Sequence, residues 1–324
     1  MKINRVGIWF AICILIMIFS NSACFAADGK SEITITFVGD VQPHVLERAS
    51  KKQMDYIRRQ FADSEFVFCN LETPLTNHSQ LTSGKSRDLI KSGKDYAFKA
   101  NPSSVKTLNE AGFSVVCLAN NHMMDYTDVG LTDTIRALNR AGICYCGAGE
   151  NKDRAEAPVI LESKKSGIKV AFISYSEIAP LMSDATSKTP GIAYINYPPG
   201  PGDISKIEKS IKTAKAKGAD IVIVTLHWGK EKSSRFESYQ KDFAKKLFEA
   251  GADCVIGHHP HVLRNVEKTG GKTIAYSLGN FVFDSADRKT MALTVTFSRN
   301  GSSGWLQSIK TKPMYIENGI PVKL

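Results

Sequence analysis

The feature that most constrains the fold is an alternation of short β-branched apolar runs with helix-like stretches, beginning at Ile33. Such alternation is typical of βα units and predicts an α/β protein with a largely parallel or mixed sheet covered by helices on both faces. The predicted strands are 33–38, 66–69, 114–118, 168–174, 221–226, 254–256 and 273–277, with a half-exposed strand at 291–297. The predicted helices are 45–60, 102–111, 129–140, 204–217 and 235–249.

The first 26 residues are set apart from the fold. Lys2 and Arg5 precede an apolar run over 6–19, and small residues follow at 22–26, which is the pattern of a secretory signal peptide. An uncleaved anchor and lipid attachment at Cys24 are the alternatives, but the run is shorter than the ~20 apolar residues that cross a bilayer. The sequence therefore predicts an exported, extracytoplasmic protein, secreted or at the outer face of the cytoplasmic membrane.

Composition narrows the class of partner. With 43% hydrophobic and 23% charged residues, the chain is neither disordered nor a coiled coil. Loss of the leader's two basic residues lowers the formal net charge from +10 to +8. A positive field of this size favours polyanionic partners such as phosphates, acidic polymers, cell-wall polymers or anionic membrane surfaces. Because the lysines are spread along predicted helices and loops, a solvated surface explains most of them and no nucleic-acid partner is predicted.

The cysteines do not indicate a disulfide framework. Five remain after the leader, an odd number at irregular spacings. Cys69, Cys117 and Cys254 end or interrupt apolar runs and are predicted to be buried thiols. Cys144 and Cys146 are only weak candidates for a metal pair, because no second pair of close cysteines accompanies them.

Polar residues collect where the predicted strands end, which is where open α/β sheets carry their chemistry. Six of the seven histidines lie at such positions, and only His78 does not. Carboxylate and imidazole groups converging on one edge of a sheet are the ligand set for Zn, Mn or Fe. His259 and His261 lie on the same side of an extended segment that Pro260 stiffens. Since an acid can bridge two ions, the sequence predicts one or two divalent transition-metal ions (Mn, Fe or Zn).

The ordered segments GD, NLE, NNH, HWG, GHHPH and SLGNF resemble the CapA or PgsA family of capsule and poly-γ-glutamate synthesis proteins. That family is similar to the calcineurin-like metallophosphoesterases, as a divergent branch. The resemblance implies a metallophosphoesterase-like layered fold with mixed β-sheets flanked by helices and a metal site at the strand carboxyl ends. The resemblance covers about residues 32–285, which we predict to be a CapA-like domain. The signal peptide (1–26) precedes it, and residues 286–324 are expected to be C-terminal strands and a tail that complete the domain.

The resemblance also implies roles for single residues. The implied metal ligands are Asp40, Glu72, Asn121, His227, His259 and His261. His122 matches the catalytic histidine that donates a proton to the leaving group or contacts the phosphate. Gln42 stands where the metallophosphoesterases have a histidine ligand, so His44 is a candidate for metal or substrate. The additional His258 leaves open whether His258 or His259 is the ligand.

The resemblance alone does not imply the reaction, and two functions remain open for the site. The first is a metal-dependent hydrolase acting on a phosphoester, or on an amide or ester link of an acidic polymer. Lys230 and Arg264 are candidate contacts for the anionic substrate, and the alternative for each is a solvated position on the surface. The alternative is a non-catalytic polymer-binding or assembly factor of a membrane-bound polyglutamate synthase complex. The long polar stretches 76–96 and 176–202 are expected to be lids or substrate loops.

Overall fold

The strands form two sheets that stack face to face, together with one short strand pair. They are seen in a computed structural model that describes residues 31–180, 182–196, 204–284, 287–299 and 304–324. The predicted leader lies outside these ranges. Ser31–Leu324 forms one compact unit.

The larger sheet mixes parallel and antiparallel strands. Its members are β1 (Ser31–Val41), β2 (Phe66–Leu71), β3 (Val115–Cys117), β4 (Cys144–Cys146), β13 (Asn280–Val282), β14 (Arg288–Arg299), β15 (Leu306–Glu317) and β16 (Ile320–Lys323). The order is β16-β15-β14-β1-β2-β3-β4, with β13 also paired to β1. Strands β1 to β4 run parallel, whereas β14, β15 and β16 add antiparallel neighbours. The predicted C-terminal segment thus contributes strands to this sheet.

The smaller sheet is also mixed. It contains β6 (Val159–Glu162), β7 (Lys169–Ser176), β9 (Ile221–His227), β10 (Cys254–His258), β11 (Val266–Thr269) and β12 (Lys272–Ala275) in the order β11-β12-β10-β9-β7-β6. Its four central strands are parallel, and β6 and β11 are antiparallel edges. Two further strands, β5 (Ala148–Gly149) and β8 (Gly191–Ile192), pair separately.

The helices are α1 (Pro43–Leu46), α2 (Lys51–Phe61), α3 (Arg87–Lys91), α4 (Val105–Ala111), α5 (Thr127–Ala141), α6 (Lys152–Ala155), α7 (Ile204–Ala216) and α8 (Ser238–Glu249). The predicted helix 45–60 is therefore two helices. The chain restarts at Ser50, whose hydroxyl accepts from Gln53 N while Gln53 Oε1 accepts from Ser50 N. This capping box satisfies backbone donors at a new helix start.

An apolar layer between the two sheets holds them together. Phe68 of the larger sheet and Phe172 of the smaller sheet stack with ring centroids 5.8 Å apart, among buried aliphatic neighbours such as Ile35, Ile223 and Ile256. Helices α2, α4 and α5 cover the outer face of the larger sheet, and α7 and α8 cover that of the smaller sheet. The α/β class with mixed sheets flanked by helices is confirmed. The helices cover only the outer face of each sheet, so the prediction of helices on both faces was wrong. A strand buried by another sheet has the same apolar run as a strand buried by helices, and the sequence pattern does not distinguish the two.

Two glycines let strand ends approach other backbone near the centre of the molecule. A Cβ on Gly257 would lie 2.2 Å from Tyr276 O and 2.4 Å from Trp228 Nε1. A Cβ on Gly39 would lie 1.8 Å from Gly279 O. Since no larger residue fits there, these glycines fix the positions of the residues that follow them, Asp40 and His258.

The described part of the chain contains no helix with the length and apolar character needed to cross a membrane. All five cysteines there are free, and all but Cys144 are buried. Within the same residues, neither Cys144 nor Cys146 belongs to a group of side chains that could hold a metal ion.

Candidate metal centre

The candidate ligands lie where the carboxyl ends of the two sheets meet. Asp40 ends β1 and Glu72 follows β2, whereas His227 ends β9 and His259 follows β10. His258 Nδ1 of the smaller sheet lies 3.3 Å from Asp40 Oδ1 of the larger one. The site is therefore built between two sheets, whereas the sequence placed it at one edge of a single sheet.

One group of ligand atoms surrounds Asp40. Asp40, Glu72 and His261 each offer one atom, and these atoms lie within 4.8 Å of one another. His261 Nδ1 is 3.3 Å from Asp40 Oδ2, and His261 Nε2 is 3.9 Å from Glu72 Oε1. The two carboxylates are fully buried, so this group combines negative charge with an imidazole in the interior.

A second group surrounds His227 Nε2. This nitrogen is 2.8 Å from Asn121 Oδ1, 3.2 Å from His259 Nδ1 and 3.5 Å from Glu72 Oε1. Glu72 thus belongs to both groups. The structure brings together all six residues that the sequence proposed as metal ligands.

The residues present fit a divalent cation. Asp40 Oδ2 and Glu72 Oε1 are buried and accept no hydrogen bond from the described residues, an arrangement that is costly without a compensating charge. Nitrogen and oxygen ligands bound to one ion at about 2.0–2.2 Å lie roughly 3 Å apart. The atoms around His227 Nε2 have this spacing. Carboxylate, amide and imidazole donors suit Zn, Mn or Fe.

The electrostatics of the site agree with this fit. Burial and then His261 lower the pKa of His259 to about 3, and burial and then His259 hold the pKa of His227 well below its usual value. Both rings are therefore neutral near pH 7, the state in which imidazole binds metals. Burial and then Asp40 raise the pKa of Glu72 well above its ordinary value. A nearby cation removes that penalty.

Asp40 and His261 carry opposite charges in this site. Burial alone would raise the pKa of Asp40, but His258 and His261 outweigh it and hold the pKa well below the usual range. Burial would lower the pKa of His261, but Glu72 and Asp40 outweigh it and raise the value to about 10. In the metal-free state the positively charged His261 ring therefore lies against the Asp40 carboxylate.

Asparagines that the sequence did not single out orient the ligands. Asn70 Nδ2 donates to Asp40 Oδ1 at 2.9 Å, and Asn120 Nδ2 donates to Asn70 Oδ1 at 3.0 Å. His261 Nδ1 donates to Asn280 Oδ1 at 2.7 Å, which directs Nε2 toward Glu72. Such partners fix ring orientation at metal sites. Their signal in the sequence was position alone, because each lies in a strand-end segment.

His122 is paired with an acid. Its Nδ1 lies 2.9 Å from Asp125 Oδ2, and Asp125 Oδ1 lies 2.8 Å from Lys85 Nζ. Phe98 N also donates to Asp125 at 2.8 Å, and the Phe98 ring lies 4.1 Å from the His122 ring between centroids. The sequence proposed His122 but missed Asp125, which lies three residues further on.

The other proposed histidines are placed differently. His258 is fully buried beside Asp40, and neither of its ring nitrogens has a hydrogen-bond partner among the described residues. His259, rather than His258, lies next to His227. His44 lies in α1, where the charged groups acting on it are Arg48, Asp284 and Glu47.

The segment carrying His259 and His261 has a strained backbone. His259 has a φ of 95° and His261 a φ of 57°, in the left-handed region that side chains rarely adopt. Strain of this kind costs about 1–3 kcal/mol per residue and collects at functional sites. The predicted extended segment is therefore a tight turn on each side of Pro260.

Arg264 is an internal clamp, contrary to both roles proposed from the sequence. It is only 4% exposed. Its guanidinium donates at 2.8–3.0 Å to three acceptors inside the protein, namely Ser233 O, Gln240 Oε1 and Lys230 O. With these donors used, Arg264 stabilises the loop after β9. Lys230 is exposed on that loop.

Glu177 is a further buried acid that the sequence did not indicate. It follows β7, and its backbone N–H donates to His227 O at 3.1 Å. Glu177 Oε1 accepts from Gly229 N and from the Tyr239 hydroxyl. Burial raises the pKa of Glu177 to about 7 despite these two hydrogen bonds. The acid therefore supports the backbone immediately behind His227.

The two long polar stretches meet at a cleft beside the site. The cleft has a volume of about 350 Å³ and is lined by Ser83, Gly84, Lys85, Asp95, Asn121, Ile178, Ala179 and Pro180. Residues 83–95 belong to the first stretch and 178–180 to the second. Asn121, a candidate ligand, forms part of its wall, so both stretches border the metal centre.

The stacked mixed sheets and the cluster of carboxylate, amide and imidazole groups define an α/β protein with a candidate divalent-metal centre. A family model described as "Bacterial capsule synthesis protein PGA_cap" matches residues 34–285. The chain belongs to this family of bacterial capsule synthesis proteins, as the strand-end motifs predicted.

Curated relatives agree with this assignment. The "Capsule biosynthesis protein CapA" of Bacillus anthracis is 34% identical over 301 residues, which cover 90% of this chain and 69% of the relative. The "PGA biosynthesis protein CapA" of Bacillus subtilis (strain 168) is 31% identical over 80% of this chain and 65% of its own length. The "Probable polyglutamine synthesis accessory protein Rv0574c" of Mycobacterium tuberculosis is 30% identical, with 78% and 66% covered. The chain thus spans about two thirds of these relatives.

Two solved structures align with most of this chain at low sequence identity. The calcineurin-like phosphoesterase YfkN from Bacillus subtilis has a TM-score of 0.48 at 15% identity, covering 87% of this chain and 91% of that one. The NAD nucleotidase NadN of Haemophilus influenzae has a TM-score of 0.48 at 14% identity, covering 91% and 54%.

Proposed function

We propose that this protein is a metal-dependent hydrolase of capsule or poly-γ-glutamate assembly, acting on a phosphoester or on an amide or ester link of an acidic polymer. The observation that carries the proposal is the convergence of Glu72, Asn121 and His259 on His227 Nε2. The adjoining His122–Asp125 pair adds a proton donor to that centre. Membership of the capsule synthesis family supports the biological setting.

Different residues of the chain would bind the ion and transfer the proton. Asp40, Glu72, Asn121, His227, His259 and His261 would hold one or two divalent ions. When bound, such ions supply Lewis acidity, which activates water and polarises the bond to be cleaved. The buried surroundings strengthen every charge interaction in the site.

His122 is the proposed proton donor to the leaving group. Asp125 accepts from Nδ1, so Nε2 is the nitrogen left to carry the proton that is given up. Lys85 holds the opposite side of the Asp125 carboxylate. The Phe98 ring against His122 excludes water from one face of the imidazole. The cleft beside Asn121 is the proposed path for the substrate.

We also propose a location and binding partners for the protein. The leader pattern supports export, with the protein secreted or retained at the outer face of the cytoplasmic membrane. An anionic polymer or a phosphorylated substrate suits the formal charge of +8 that remains without the leader's two basic residues. The Mycobacterium relative is named a synthesis accessory protein, which supports an association with a membrane-bound synthase complex.

Metal analysis followed by an activity screen tests the proposal. Purified wild type and the His259→Ala, His261→Ala double variant are compared for Mn, Fe and Zn content, then for hydrolysis of a phosphodiester and of γ-glutamyl oligomers. We expect one or two equivalents of metal in the wild type, loss in the variant, and hydrolysis that follows the metal. A wild type without metal under any reconstitution overturns the proposal.

A specific observation favours the alternative of a non-catalytic polymer-binding or assembly factor. His122 is buried, and the Phe98 ring lies over one face of its imidazole, which restricts the access of a substrate to this residue. Metal bound at the site without turnover of either substrate, together with retention of γ-glutamyl polymer, would decide for this alternative.

A further inference from the structure

The loop after β9 brings a third acid to the centre. Glu231, His259 and His261 each offer one ligand atom, and these atoms lie within 4.8 Å of one another. Whereas Asp40 and Glu72 are fully buried, Glu231 is exposed. It therefore approaches the two histidines from the solvent side.

The backbone on both sides of Glu231 is held in place. Lys232 N donates to Pro260 O at 2.9 Å, and Lys232 has a left-handed φ of 56°. The buried Arg264 donates to Lys230 O at 2.8 Å and to Ser233 O at 2.9 Å. The loop is thus fastened directly to the segment that carries His259 and His261.

The carboxylate itself has no structural task. Among the described residues, the Glu231 side chain makes no hydrogen bond or ion pair, although Lys230 and Lys232 flank it in sequence. A carboxylate that lies beside two imidazoles and has no other partner completes a set of oxygen and nitrogen donors of the type that binds divalent transition metals.

We propose that Glu231 is a further metal ligand, shared with His259 and His261 on the open side of the centre. The inference rests on the proposed metal centre and adds a residue to it. Gln42, at the position that lacks a histidine ligand, has its Oε1 bound to Asp284 N at 3.0 Å. Glu231 would add one carboxylate donor to a ligand set that lacks this histidine.

Titration of the metal-free full chain tests this assignment. Mn²⁺ affinity and the visible absorption of the Co²⁺-loaded protein are compared for wild type, Glu231→Gln and the control Glu110→Gln, an exposed acid on α4. For Glu231→Gln we expect Mn²⁺ affinity to fall about 10–100-fold. The Co²⁺ bands, which report coordination number, should change in the same variant. Glu110→Gln should match wild type in both.

The outcomes separate this inference from the proposed function. Metal binding and Co²⁺ bands in Glu231→Gln that equal those of wild type would overturn the ligand role and leave the hydrolase proposal intact. Weaker binding with unchanged Co²⁺ bands would also overturn it, since the acid would then act through charge at a distance. A wild type that binds neither ion would overturn both.

Discussion

His122 Nδ1 and Asp125 Oδ2 are 2.9 Å apart in the interior of the protein, beside the candidate ligand Asn121. The pairing leaves only Nε2 of the imidazole for a substrate, so the acid decides which nitrogen exchanges a proton. Neither residue belongs to a metal-binding group in the described part of the chain. Proton transfer and metal binding can therefore be separated by mutation.

Replacing His122 with Ala tests that separation. We expect the metal content of His122→Ala to equal that of wild type and turnover to fall about 10²–10⁴-fold, the usual contribution of a positioned general acid. Elemental analysis and steady-state kinetics measure the two quantities. His78→Ala, a histidine outside the strand-end segments, is the control and should change neither. Loss of metal from His122→Ala would contradict the proton-donor role.

The Lys85–Asp125 ion pair should stabilise the fold measurably. The Lys85 side chain is 10% exposed and that of Asp125 is 0% exposed, so Lys85→Met leaves a buried charge without its partner. We expect the free energy of unfolding in urea to fall by about 3 kcal/mol. The matched control is Arg136→Met, which breaks an exposed pair with Asp133 and should cost at most about 0.5 kcal/mol. Equal effects of the two substitutions would disprove the prediction.

Glu72→Gln should have opposite effects with and without metal. Burial and Asp40 raise the pKa of Glu72 well above its ordinary value. The metal-free fold therefore loses stability as the pH rises above that ordinary value, because the unfolded chain ionises first. We expect Glu72→Gln to melt at a higher temperature than wild type in chelator at pH 7. Added Mn²⁺ should raise the melting temperature of wild type only. A variant that melts lower in chelator would refute this account.

Glu177 predicts a separate pH dependence. Because burial raises its pKa from 4.5 to about 7, the folded protein holds this proton more tightly than the unfolded chain. Its contribution to stability is thus present at low pH and is lost as the pH rises from about 4.5 to 7, by up to about 3 kcal/mol. Urea midpoints at pH 5 and pH 8 should differ less for Glu177→Gln than for wild type, and Glu110→Gln should retain the wild-type difference. Identical differences in all three proteins would contradict the prediction.

Much of the fold could be predicted from local pattern. The β-branched runs placed the main strands within a few residues, because strand propensity and burial act together there. The break at Ser50 was missed because the apolar spacing continues across the capping box. Stacking of the two sheets was missed for a different reason. Phe68 and Phe172 meet only in three dimensions, and nothing in either run distinguishes a sheet partner from a helix.

The candidate site was partly predictable for the same reason. Strand ends on parallel strands share one side of a sheet, so listing the residues after each strand identified the six proposed ligands. Glu231 was missed because it lies beyond the residues that directly follow a predicted strand. Glu177 was missed because it lies in the polar stretch 176–202, which was assigned to a loop. Arg264 was misjudged because a basic residue in a loop is usually exposed, and only the structure reveals its three internal acceptors.

The position of the candidate ligands between the two sheets has a mechanical consequence. Asp40 and Glu72 come from one half of the sandwich, and His227, His259 and His261 come from the other. An ion held by both sets is a cross-link that closes long chain segments, and such closure restricts the unfolded chain as a disulfide does. The five free cysteines form no such link. Metal loading would therefore make the two sheets unfold as one cooperative unit. Removal of the metal would let each sheet unfold separately.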